Sequence, residues 1–117
     1  MKLQEIMNAT IIGTSLGVED HGIFTCNLHL SGDGWGCGFG GYALDQWTDK
    51  QKRRIGTAYG MQFIARILET LEVDSWEKLK GQHVRVVTDG VGGRIQSIGH
   101  FLKDKWFDPK EFKEMPA

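Results

Sequence analysis

At Gly56 the spacing of apolar side chains changes, and that change decides what the chain can fold into. In GIFTCNLHL, residues 22–30, they fall at every second position. From Gly56 onward they recur at three and four. A period of two belongs to a half-buried strand and a period near 3.6 to an amphipathic helix. Strands followed by a helix are therefore expected. Phe24, Cys26, Leu28 and Leu30 share one strand face, and Thr25, Asn27 and His29 the other. Residues 6–18, IMNATIIGTSLGV, are β-branched and apolar and form a hairpin with this strand across a turn at EDHG, 19–22. GCGFGGYAL, 36–44, reads as a third strand and DQWTDKQKRR, 45–54, as a polar connection.

In the helix, Ala58, Met61, Ile64, Ala65, Leu68 and Leu71 line one face, with Tyr59, Phe63 and Ile67 alongside. Gln62, Arg66, Glu69 and Glu72 lie opposite. Thr57 or the residue before it opens the helix. Ser75 caps a short second helix, WEKL, ended by Gly81. HVRVVTD, 83–89, and GRIQSIGHFL, 93–102, form a hairpin around DGVGG. Asp108, Pro109 and Glu111 open a brief terminal helix. No proline precedes Pro109, which suits a sheet, because proline removes a ladder donor. The order βββ-α-α-ββ makes the fold class α+β: one antiparallel sheet of about five strands, the long helix packed on one face. Residues 1–117 are expected to form a single domain. Trp76, Trp106, Phe101, Phe107 and Phe112 are expected to close the core around the helix.

Six of the sixteen glycines fall in SGDGWGCGFGGYALD, 31–45. The run is not a dinucleotide loop, because that fingerprint needs a helix directly after it and here a strand follows. Glycine in a strand marks a bulge or the close approach of another backbone or a ligand. Trp35, Phe39 and Tyr42 punctuate it, and aromatic side chains amid bare backbone can form a stacking surface. Cys26 and His29 suggest zinc, but three positions apart in a strand they face opposite ways, so no metal site is expected. No nucleophile signature accompanies the histidines His21, His29, His83 and His100, so no catalytic residue is assigned. No cofactor is expected.

Residues 1–49 carry one lysine and six acids, and the remainder thirteen bases and nine acids, for a net charge of −1. The basic excess is too small for general nucleic-acid binding. Its sharpest local feature is Arg53 and Arg54 just ahead of the long helix, with the Thr57 hydroxyl beside its free N–H groups. That combination suits a phosphate or carboxylate. The candidate binding residues are Trp35, Tyr42, Arg53, Arg54 and Thr57. No apolar run is long enough to span a bilayer, the first residues lack an apolar signal core, and two cysteines are too few for a disulfide framework. The expected location is cytoplasmic, with no membrane partner.

GTSLGVEDHGIFTCNLHL, GFGGYALD, RRIGTAYGMQFIARIL and WEKLKGQHVRV together resemble small accessory proteins encoded by bacteriophages and prophages. The resemblance carries no catalytic motif. It implies a non-catalytic binding protein in a bacterial host, an inhibitor of a host defence system that acts by binding a host protein. The alternatives are a homo-oligomeric sponge for a nucleotide-like signalling molecule, a small enzyme, or a structural module of a virion.

Overall fold

The computed structural model describes residues 4–19, 21–88 and 94–112, the side chains of residues 111 and 112 excepted. In chain order the elements are β1 (Glu5–Val18), β2 (Phe24–Gly32), β3 (Trp35–Gly40), β4 (Asp45–Thr48) and β5 (Arg53–Gly56). Then come α1 (Ala58–Leu71), a 3-10 turn (Trp76–Lys78), β6 (His83–Thr88), β7 (Ile95–His100), β8 (Trp106–Phe107) and α2 (Pro109–Phe112). The fold is α+β. Six antiparallel strands form one sheet in the order β3-β2-β1-β6-β7-β8.

β1 holds the sheet together by serving two neighbours. Glu5 to Thr10 pair with β6, and Thr10 to Val18 pair with β2. Its register slips between Ile11 and Gly13, the bulge at which such a strand bends. The bend curls the sheet until its ends meet. β3 comes within 8 Å of β7, Cα to Cα, and the Phe39 ring lies 6.1 Å from that of Phe107 in β8. A three-stranded meander, a helix and a returning hairpin that pairs with the first strand give the layout of a partly open Greek-key barrel.

The alternation expected in β2 is present. Cys26, Leu28 and Leu30 are buried, Phe24 is half-buried and His29 is exposed, but Thr25 on the other face is buried as well, its hydroxyl donating to Glu19 at 2.9 Å. Residues 45–54, expected as a polar connection, instead begin a separate two-stranded hairpin, β4 with β5. Its ladder is polar because Asp45 and Arg54, nine positions apart, join as an ion pair across it. The main sheet has six strands rather than about five, the sixth being the two-residue β8.

Thr57 opens α1 as expected. Its Oγ1 accepts the Gly60 N–H at 2.9 Å. The buried face is turned from the expected stripe. Gly60, Phe63, Ile67, Thr70 and Leu71 are buried, whereas Ala58, Met61 and Ala65 are exposed. Phe63 sits at the centre, its ring 5.0 Å from Phe107, 5.4 Å from Tyr42, 6.1 Å from Tyr59 and 6.2 Å from Phe39. Ser75 precedes the 3-10 turn without a side-chain capping bond, while Gly81 has the expected left-handed backbone, φ 93°. Of the aromatic side chains expected to close the core, Phe107 is buried, Trp76 and Trp106 are half-buried, and Phe101 is 38% exposed. Phe101 lies past the end of β7, against the His83 ring rather than the helix. Asp108 Oδ1 caps α2 by accepting the Lys110 N–H at 2.9 Å. The DGVGG turn, Asp20, and the Glu111 and Phe112 side chains lie outside the described residues.

The far end of α1 is tied to the chain after β7. Glu72 accepts the Lys103 ammonium at 2.8 Å and the Lys105 ammonium at 3.1 Å. The Lys103 and Lys105 hydrogen bonds pull its carboxyl from 4.5 down to about 2. Because the folded value lies below the unfolded one, the stabilisation is complete above pH 4.5 and is lost as pH falls through about 2. Glu72→Gln should therefore flatten the dependence of melting temperature on pH between those values. Parallel melting curves for variant and parent across that window would show that the ties contribute nothing.

Candidate functional site

The inward side of β1 and β2 extends farther than α1 covers. Leu16 pairs with Cys26 and Val18 with Phe24, so both project on the core side. α1 begins only at Ala58, and beyond its first turn this apolar surface has no lid. Val18 is 67% exposed, Leu16 43% and Met61 on the helix 67%. Val18 and Met61 border a groove of about 460 Å³, walled with them by Phe24, Leu44 and Ile64. Arg54, Asp45 and Thr57 stand at one side of it.

Asp45 and Arg54 pair with each other, and Thr57 bonds to backbone on either side of it. Arg54 Nη2 donates to Asp45 Oδ1 at 2.9 Å and to the Asp45 carbonyl at 3.2 Å. Asp45 Oδ1 also accepts the Phe24 N–H at 3.2 Å. The Arg54 hydrogen bond holds the Asp45 carboxyl below its ordinary range. Thr57 Oγ1 donates to the Leu44 carbonyl at 3.1 Å and accepts from Gly60 N–H. The hydrogen bond to Gly60 satisfies one of the free donors of the helix N-terminus, and Asp45 takes Nη2 of the guanidinium, whose buried Nε has no hydrogen-bond partner. Arg53, the neighbour on β5, is exposed.

The structure brings Arg54 and Thr57 together at the groove and separates them from the two candidate aromatics. Trp35 is half-buried, its indole folded over Gly32 so closely that a Cβ there would lie 2.0 Å from the ring. Tyr42 is half-buried against Phe63. Both pack on the protein's own core. The groove's apolar walls were not singled out from sequence. Val18, Met61 and Ile64 carry the pattern of ordinary core positions, and only the place where α1 starts leaves two of them exposed.

The outer face of β2 and β3 is the surface that partly open barrels of this layout use for single-stranded nucleic acid. Here it presents Asn27, His29 and Ser31, which register with Ser15, Gly13 and Thr10 on β1, and Gly36 and Gly38 of β3. It holds no Trp, Tyr or Phe and no lysine or arginine, its one ring being the exposed His29 imidazole. Among the described residues no three His, Cys, Asp or Glu side chains converge as metal ligands, and no helix is long and apolar enough to cross a membrane. Burial pushes the Cys26 thiol up to about 12, which keeps it protonated and inert.

The sequence matches no protein-family model, no curated protein and no solved structure.

Proposed function

We propose that the protein is a non-catalytic binding protein whose groove beside the start of α1 receives apolar side chains of a protein partner. The observation that carries this reading is the groove's make-up: apolar walls left exposed, beside a charge pair that is already neutralised. An anion would compete with Asp45 for the Arg54 charge, and it would find Gly60 N–H already bonded. A nucleotide-like ligand is therefore the second reading, supported by the exposed Arg53 alone. An aliphatic or aromatic anchor displaces nothing and gains the burial of Met61 and Val18. The resemblance to phage accessory proteins makes a host defence protein the expected partner, and inhibition by binding the expected outcome.

Met61→Glu tests the proposal at an exposed site where folding should be unaffected. In affinity capture from host lysate, the parent chain should retain a specific protein. The folded variant should bind it about tenfold more weakly or worse, as expected when one buried methionine contact is replaced by a desolvated charge. Equal capture by the two chains would reject the groove. A thermal shift with cyclic dinucleotides or ADP-ribose derivatives, abolished by Arg53→Ala, would establish the second reading instead.

A further inference from the structure

β3 ends the sheet, and among the described residues its outer side has no ladder partner. The pairing with β2 shows which groups point outward. Gly41 N–H donates to the Cys26 carbonyl at 2.9 Å, making Cys26 and Gly41 a hydrogen-bonded pair. Antiparallel ladders alternate, so Leu28 with Phe39, Leu30 with Cys37 and Gly32 with Trp35 are hydrogen-bonded as well. His29 with Gly38 and Ser31 with Gly36 are the intervening non-bonded pairs. The N–H and C=O groups of Gly36 and Gly38 therefore face away from β2, toward the open edge.

Among the described residues they meet one weak hydrogen bond, from the Cys37 thiol to the Gly38 carbonyl at 3.5 Å. Both glycines are exposed, and the nearest atoms to a Cβ there are carbonyl oxygens of β2, at 3.6 and 3.9 Å. Trp35 folds back over Gly32, toward β2 and off the edge. Sheet edges are ordinarily protected by lysine, proline or an inward charge. WGCGFG contains none of these. Barrel closure falls at the other end of the strand, where Phe39 meets Phe107.

We propose that two copies of the chain join edge to edge through β3, antiparallel and centred on Cys37, so that one sheet continues into the other. The register follows from the geometry. Outward residues must pair with outward residues, so the two-fold axis passes through Gly36, Cys37 or Gly38. An axis through Gly36 would draw Gly34 into the ladder, and one through Gly38 would draw in Gly40. Their φ values of 78° and 125° take both out of extended conformation. The axis through Cys37 pairs Gly36 of each copy with Gly38 of the other and uses extended residues only. A strand without charge also faces its own copy without repulsion, as a two-fold contact requires.

This register places the two Cys37 residues opposite each other in a non-hydrogen-bonded pair, Cα atoms about 4.5 Å apart. That lies within the range of about 4.4–6.8 Å that a disulfide spans. Both thiols lie on the same face, because the axis is perpendicular to the sheet.

Light scattering should give a particle of twice the chain mass of 13.2 kDa. Diamide, which takes up the two protons and two electrons of the paired thiols, should convert it to a dimer that persists on non-reducing gels. Cys37→Ala should remove that covalent link and leave the particle mass unchanged. Gly38→Pro removes an outward N–H and none of the β2 ladder, so the folded variant should be monomeric. A monomer at every concentration tested, a dimer that survives Gly38→Pro, or a dimer whose Cys37 thiols fail to link would each overturn the proposal. Should Gly38→Pro not fold, linking through Cys37 in the parent chain decides.

Discussion

Phe63→Ala should cost about 3–5 kcal/mol, the range for deleting a fully buried aromatic side chain. For a domain of this size that is a fall of roughly 12–20 °C in melting temperature. Phe63 is 0% exposed and its ring contacts four others, those of Phe39, Tyr42, Tyr59 and Phe107. These come from β3, the segment after it, α1 and β8, so the cavity would open where the two ends of the curled sheet meet. No neighbouring side chain can fill it without leaving another layer. Phe63→Leu, which keeps most of the volume, should recover more than half of the loss. A melting point for the alanine variant within a few degrees of the parent would mean that the rings do not form one packed centre.

Gly60→Ala should also destabilise, against the usual rule. In a helix interior this exchange ordinarily stabilises by about 1 kcal/mol. Here a Cβ would lie 2.0 Å from the Leu44 carbonyl oxygen and 2.6 Å from its carbon. Both atoms are backbone, so no side-chain rotation relieves the contact. The same carbonyl accepts the Thr57 N–H at 3.2 Å and the Thr57 hydroxyl at 3.1 Å. Moving it would loosen the helix start as well. The expected loss is about 3 kcal/mol, the upper end for overpacking against rigid neighbours. The groove would change shape with it, because Leu44 and Gly60 both line it. An alanine variant that melts at or above the parent would show that the approach of α1 to Leu44 is not tight.

How far the sequence discloses this fold depends on which side of an element is covered. β2 was legible because its apolar residues share the face that meets the core, although on the other face only His29 is exposed. The start of α1 was legible because Thr57 is a local cap. Its buried face was not, because periodicity reports that a helix has an apolar side wider than its contact. Ala58, Met61 and Ala65 lie on the margin of that side, and the curl of the sheet toward Phe39 and Phe107 selects Phe63 and Ile67 as its centre. The β4–β5 hairpin escaped because its strands are polar and its cross-strand pair, Asp45 with Arg54, reads as loop chemistry. The arginines ahead of the helix suggested an anion. Sequence alone does not disclose that one of them is held by a carboxylate nine positions earlier. The groove was the least legible feature, since it exists where cover stops.

The division of β1 between two neighbours sets an order in time. Its second half pairs with β2 only a few residues later, whereas its first half waits for β6, with Glu5 meeting Thr88. As the chain is synthesised, the β1–β2–β3 meander can close early, but Met7 and Ala9 have no lasting ladder neighbour until some seventy further residues have emerged. Closing so long a loop is slow relative to forming a hairpin. The rate-limiting step of folding should therefore be the arrival of β6 and β7, and mutations there should slow folding more than equally destabilising ones in β3.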